Sequence, residues 1–325
     1  MTAADRQGRR GLMIAAFATV YLVWGSTYLA IRFGLETMPP FLMAGVRFLV
    51  AGLLMYGWAR ARGASRPTLA HWKVAATAGV LLLAVGNGGV TWAEQSISSG
   101  LAALLVATEP LWLVLLAWGF FAGPRPTGKV VAGLTLGLLG VASLVVGGGE
   151  MAVDGSAWGV AAVLVATVSW AVGSLLLRDA KRPDSPILGT GMQMLAGSAV
   201  LIAVGLARGE ARGFDPAAVS TGSLLALLYL IVFGSIAAYT AYTWLLTVTT
   251  PARASTDAYV NPVVAVLLGH WLGAEKVSPI AWVSMAVIVG SVALVNTAEG
   301  PKSPPETRSD DEPEPESAEL SEAAC

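Results

Sequence analysis

GLAALLVATEPLWLVLLAWGFF, residues 100–121, carries Ala107-Thr108-Glu109-Pro110 near its middle. A proline this deep in a run of roughly 20 apolar residues breaks a soluble helix, yet a membrane helix tolerates it where the freed carbonyl faces protein or a cavity. The device returns once, as Tyr259-Val260-Asn261-Pro262 in ARASTDAYVNPVVAVLLGHW, residues 252–271. Pro110 and Pro262 stand 152 positions apart. Each is expected to kink its helix inward, freeing the carbonyls of Val106 and Ala258.

Three further pairings fall at similar spacing: Trp24 with Trp170 at 146, Gly86 with Gly234 at 148, and Gly133 and Gly137 with Ala286 and Gly290 at 153. The offsets differ by only a few residues, as loop insertions between two copies of one unit would produce. The runs between them suit this reading. Apolar stretches of spanning length lie at about 11–31, 41–59, 74–93, 100–121, 128–147, 157–177, 186–206, 222–245, 253–273 and 278–297. They are separated by turn residues such as Pro39-Pro40, Pro124 to Gly128 and Gly213 to Pro216. The expectation is an all-α polytopic membrane protein of ten transmembrane helices in two inverted five-helix repeats, residues 11–147 and 157–297. Five helices per half is an odd number, so the second half enters the membrane upside down, which suits alternating access.

The bulk composition agrees. Of the 325 residues, 55% are hydrophobic and 13% charged, against about 25% charged in soluble domains, and the mean hydropathy is +0.67. Residues 1–10 bring Arg6, Arg9 and Arg10 before GLMIAAFATVYLVWGSTYLAI. That run is too long for a signal-peptide core and reads as a retained first helix. With the N-terminus inside, thirteen Lys and Arg from Arg6 to Arg253 fall on the cytoplasmic side and four, Arg32, Arg208, Arg212 and Lys276, on the other. Both ends are therefore expected in the cytoplasm of a cell-membrane protein, with a bacterial inner membrane as the setting. Residues 298–325 hold nine acids against two bases, with abundant Pro, Glu and Ser. They read as a disordered acidic tail.

Polar residues recur at helical spacing within the spans, so each set shares a face. Trp24 and Tyr28 lie on the first helix, Asn87 and Thr91 on the third, Thr108, Glu109 and Trp112 on the fourth. Trp170 lies on the sixth, Ser235, Tyr239 and Tyr242 on the eighth, Asp257 and Asn261 on the ninth. Polar stripes facing lipid are costly, so these faces are expected to meet around one substrate cavity. The plainer alternative is helix-to-helix hydrogen bonding, worth about 0.6 kcal/mol each. Arg47, a lone charge inside the second span, needs compensation; capping freed carbonyls and touching substrate are both open to it. Gly133 and Gly137, with Ala286 and Gly290, suit close helix approach, either as outer supports or at a dimer face.

Among the acids, Glu109 sits mid-span beside the proline with no basic residue three or four positions away, which makes it the leading candidate for a proton site. Glu94, near the external end of its helix, is the second candidate. Asp257 stands four residues from Arg253 and pairing between them is open. Counted from the prolines, the partner of Glu109 is Asn261, which cannot titrate.

WGSTYLAIRFGLETMPPFLMAGVRFLVAG (24–52), AVGNGGVTWAEQSISSGLAALLVATEPLW (84–112) and AYVNPVVAVLLGHWLGAEKVS (258–278) are similar to the EamA-type branch of the drug/metabolite transporter superfamily. Within it the chain resembles the YedA-like drug/metabolite exporter subgroup. The resemblance runs from about residue 12 to 297 and leaves out the acidic tail. It implies ten helices in two inverted repeats and export of small metabolites or drugs, and it leaves the substrate open.

Other classes lack their parts. The sequence has no H-E-x-x-H, no G-x-S-x-G and no G-x-x-x-x-G-K-[ST], so hydrolase and ATP-driven readings fall away. One cysteine, Cys325, and two histidines, His71 and His270, leave no basis for a metal site or disulfide. The expected protein is not an enzyme, has no catalytic residues and no cofactor, and binds a small molecule and the bilayer rather than nucleic acid. A homodimer is permitted but not required. An uncoupled facilitator of amino-acid-like or nucleoside-like solutes is the alternative to proton-coupled export, with an intramembrane enzyme as the rival from another class.

Overall fold

The computed structural model describes residues 3–97, 99–147, 157–178, 180–273 and 278–298. The acidic tail beyond Ala298, Ser98 in the loop after the third apolar run, and the linker at 148–156 lie outside the described residues. Within them every regular element is helical. The helices are α1 (Ala3–Leu35), α2 (Pro40–Ala61), α3 (Leu69–Ala93), α4 (Ser99–Val106), α5 (Glu109–Phe120) and α6 (Gly128–Gly147). They continue as α7 (Ala157–Arg178), α8 (Pro186–Ala207), α9 (Thr221–Val248), α10 (Pro251–Ala254), α11 (Asp257–Gly273) and α12 (Pro279–Ala298). Six of them, α1, α2, α3, α7, α8 and α9, are long and apolar enough to cross a membrane, and Leu104–Phe120, Gly128–Ser143 and Pro279–Val295 form shorter apolar helical stretches.

Their starts follow from local chemistry. Pro40 and Pro186 open α2 and α8 in the first turn, where the missing N–H costs nothing. Ser185 and Ser220 cap α8 and α9 by accepting from the backbone N–H groups of Leu188 and Ser223. Two long helices are wound more widely in their centres: α3 over Gly79–Asn87 and α9 over Leu230–Tyr239 take the π-helical form. Such local widening is frequent at functional sites.

The two proline-bearing runs, expected as single bent helices, are each two helices. In the first, α4 stops at Val106 and α5 restarts at Glu109. Thr108 is the hinge: its Oγ1 donates to the Leu105 carbonyl at 2.7 Å, and its N–H takes the same carbonyl at 3.1 Å. The Thr108 carbonyl then accepts from the N–H groups of Leu111 and Trp112, at 3.1 and 3.3 Å. In the second run Thr256 repeats all of this. Its Oγ1 and N–H donate to Arg253 O at 2.7 and 3.3 Å, and its carbonyl accepts from Tyr259 and Val260 at 3.2 and 3.3 Å. A threonine hydroxyl that bonds the preceding turn competes with helix continuation; at these two positions the N–H closes on the same carbonyl as well, whereas Thr27 and Thr243, whose hydroxyls also bond the carbonyl three residues back, lie in unbroken helices.

The two prolines stand differently with respect to these breaks. Pro110 stands in the first turn of α5 rather than at a kink, whereas Pro262 lies inside α11, six residues past its break. The hydrogen-bond pattern recurs at a spacing of 148, not the 152 of the prolines, and at that spacing Glu109 falls opposite Asp257 rather than Asn261.

α6 and α12 pack closely, and a Cβ on Gly133 would lie 2.6 Å from Val295 Cγ2. Ala286 and Gly290 do not serve that contact. The buried face of α12 runs through Ala281, Ser284, Met285, Ile288, Ser291 and Val295, which turns Ala286 and Gly290 outward. Among the described residues the two largest apolar clusters lie mainly among α1, α2, α3, α8 and α9 and among α6, α11 and α12, with three smaller ones beside them.

Candidate functional site

Seven of the longer helices send side chains to one cavity, with roughly 750 Å³ of empty space including its mouth. α1 contributes Trp24, Thr27 and Tyr28; α2 contributes Arg47 and Phe48; α3 contributes Asn87 from its widened segment. α5 brings Glu109, α7 Thr167 and Trp170, α9 Tyr239, and α11 Asp257 and Asn261. Both helix breaks therefore open onto it, each presenting a carboxylate as the first residue of the helix that follows. A carboxylate there is favoured by the positive end of the helix dipole.

One wall is aromatic. Trp24 and Trp170 meet edge to face with centroids 5.5 Å apart, and Tyr242 packs behind both at 5.1 and 5.5 Å. Their polar tips are tied down: Trp24 Nε1 donates to the Gly234 carbonyl at 3.2 Å, and Trp170 Nε1 donates to the Tyr242 hydroxyl at 2.9 Å. Tyr239 donates its hydroxyl to Gln193 Oε1 at 2.8 Å, so it offers the cavity a ring and not a donor. Fixed rings of this kind make a rigid apolar surface.

The charged groups are buried and sparsely satisfied. Glu109 is 5% exposed and Asp257 3%. Both line the cavity, Glu109 from the start of α5 and Asp257 from the start of α11. Glu109 Oε1, Asp257 Oδ1, Asn261 Oδ1 and Asn87 Oδ1 are all shielded without a hydrogen-bond partner. Leaving one such acceptor unmet in a protein interior costs about 1–3 kcal/mol, so four around one cavity mark a surface made to meet donors. Arg47 crosses from α2 to α9, where its Nε donates to Ser235 Oγ at 2.7 Å, and its guanidinium lies 4.8 Å from the Phe48 ring centre. Neither contact is to a carboxylate.

Of the thirteen residues expected in the cavity, eight line it: Trp24, Tyr28, Asn87, Glu109, Trp170, Tyr239, Asp257 and Asn261. The other five turn their polar atoms to neighbours. Thr91 donates to the Asn87 carbonyl, Thr108 makes the hinge, and Trp112 donates to Thr108 Oγ1. Ser235 receives Arg47, and Tyr242 sits behind the tryptophans. Glu94 is also outside the lining, with both carboxylate oxygens shielded and without a hydrogen-bond partner. Arg47 joins the cavity although sequence reasoning left its role open; its signal was a lone charge in a span. Among the described residues no group of three His, Cys, Asp or Glu gathers to hold a metal.

Comparison with known proteins gives a consistent picture. The model of the EamA-like transporter family matches residues 11–146 and 157–297. The inner membrane transporter YedA of Escherichia coli strain K12 is 43% identical over 284 residues, covering 87% of this chain and 90% of that protein. A probable terminal-alkyne amino-acid exporter of Streptantibioticus cattleyicolor is 28% identical over 289 residues, covering 86% and 92%. A crystal structure at 22% identity superposes with a TM-score of 0.70 over 89% of this chain and 98% of that one, a likeness of fold.

Proposed function

We propose, from the premise that the chain belongs to the EamA-like transporter family, that it exports small metabolites or drugs across the bacterial inner membrane by alternating access. The observation that carries this reading is the single cavity onto which both helix breaks open. A carrier needs a central site that two halves of the protein can expose in turn, and broken helices whose ends point into that site are the usual means of building one. The matched hydrogen bonds at Thr108 and Thr256 support two inverted five-helix repeats, completed to ten spans by the shorter apolar helices. The lysine and arginine count supports both termini in the cytoplasm. The name of the Escherichia coli relative supports an inner-membrane setting, and that of the Streptantibioticus relative supports outward transport.

Export is driven by proton exchange at Glu109. It is buried, it lines the cavity, and one carboxylate oxygen has no hydrogen-bond partner. Membrane carboxylates so placed mark proton relays. In proteoliposomes with an imposed pH gradient, Glu109→Gln is expected to abolish gradient-driven accumulation and to retain downhill exchange. Full accumulation by that variant would remove the coupling role from Glu109.

A further inference from the structure

We infer that a groove between α3 and α7, at the ends of both helices that meet the cytoplasm in the orientation proposed above, is a binding site for an anionic phospholipid. Its headgroup phosphate is held by Lys73 and Lys181, and an acyl chain lies along the groove. The site stands apart from the cavity and goes beyond the export reading.

The groove begins where a close helix contact ends. Along the π-helical segment of α3 the two helices touch: Ser169 Oγ donates to the Leu81 carbonyl at 2.8 Å, and a Cβ on Gly173 would lie 2.9 Å from Leu81 Cβ. Nearer the start of α3 and the end of α7 the contact gives way to roughly 590 Å³ of empty space, mouth included. Lys73, Val74 and Thr77 line it from α3, and Leu176, Leu177 and Ala180 from the chain at and just past the end of α7. Leu177 is buried and Leu176 is 41% exposed, so the apolar lining runs from the packed interior to the outer surface. Thr77 Oγ1 donates to the Lys73 carbonyl at 3.0 Å, which leaves that wall with no donor to satisfy. Thr77 stands eight residues beyond Leu69, about 12 Å along the helix, so the groove reaches well past the helix start.

The charge lies at the opposite end from this apolar depth. Lys73 is exposed, and Lys181, also exposed, follows directly on the lining residue Ala180. Arg182 is turned elsewhere, with Nη2 donating to the Arg178 carbonyl at 3.3 Å. Basic groups between spans at the cytoplasmic boundary attract acidic headgroups, because the field of the lysines is poorly screened beside hydrocarbon. A zwitterionic lipid would bring its own ammonium against the lysines. A soluble phosphate would leave the apolar groove unfilled, and an extended peptide there would place unpaired backbone groups in hydrocarbon. The two walls belong to different halves of the chain, since α3 falls within the matched residues 11–146 and α7 within 157–297. A lipid in the groove therefore touches both halves at once.

The test uses the purified full-length chain in detergent, with bound lipid counted by native mass spectrometry and stability read by thermal shift. Dioleoyl phosphatidylglycerol is expected to bind and to raise the unfolding temperature, and to outcompete dioleoyl phosphatidylcholine about tenfold or more. Lys73→Gln and Lys181→Gln should each cut that preference about fivefold, as about 1 kcal/mol per lysine implies. Lys129→Gln, at the start of α6, should leave it unchanged. Thr77→Trp, which fills the groove and keeps both lysines, should weaken phosphatidylglycerol binding. Equal binding of the two lipids, an equal loss in the Lys129 variant, or full binding in the Thr77 variant would each overturn the site. Glycerol 3-phosphate, the headgroup without chains, should give no shift at the same concentration; a shift equal to that of the lipid would make it a phosphate site instead. None of these outcomes bears on export, which gradient-driven accumulation measures separately.

Discussion

At Thr108 and at Thr256 the chain makes the same four hydrogen bonds, yet Pro110 follows the first break by two residues and Pro262 follows the second by six. The proline at the first site sits where a helix start tolerates it, and that at the second lies inside α11. At both breaks a threonine hydroxyl and N–H close together on the carbonyl three residues back. The prolines act afterwards, and differently. What the two sites have in common beyond the hinge is a carboxylate one residue on, Glu109 and Asp257, brought to one cavity from opposite halves of the chain.

The largest difference should appear at the prolines. Pro262→Ala restores an N–H that can bond the Ala258 carbonyl, stiffening the turn that carries Asp257 and Asn261. It should lower transport roughly tenfold, as a shift of about 1.4 kcal/mol in the preferred shape of α11 would. Pro110→Ala, in a first turn whose N–H has no helical partner, should stay within about twofold. Equal losses would return the hinge to the prolines. A smaller effect is expected at the threonines. Thr108→Val and Thr256→Val should each cost about 1 kcal/mol in thermal unfolding, alike to within roughly 0.5 kcal/mol. A clear disparity would separate the two breaks. Smallest of all is truncation after Asn296, which removes the acidic segment and should leave transport unchanged by flux measurement. Loss of transport with normal insertion would give the tail a part in the cycle.

Much of this could be read from the chain. Helix positions follow from apolar length, and the inward residues Trp24, Asn87 and Asp257 follow from polar atoms that lipid would not accept. The hinges were harder to see. A proline announces itself in a sequence, whereas the choice of Thr108 or Thr256 to bond back rather than continue the helix depends on a local competition that any threonine enters. Ser235 and Tyr242 show the limit of stripe reasoning. They share a helix face with Tyr239, but Ser235 is taken by Arg47 and Tyr242 by Trp170 and Ser174, contacts set by helices distant in sequence. Ala286 and Gly290 meet a related limit: small residues permit close approach, but the rotation of α12 decides which face receives α6, and these two lie on the outward face.

The central claim is that Glu109 and Asp257 act on one cavity as counterparts. A double-mutant cycle on downhill exchange in proteoliposomes, which Glu109→Gln is expected to retain, using Glu109→Gln, Asp257→Asn and the pair, tests it most directly. Two groups facing the same occupant should be strongly non-additive, with a coupling energy of about 1 kcal/mol or more and a double variant little worse than the worse single. Effects that add to within about 0.5 kcal/mol would contradict the account, and would mean that the two breaks serve separate sites.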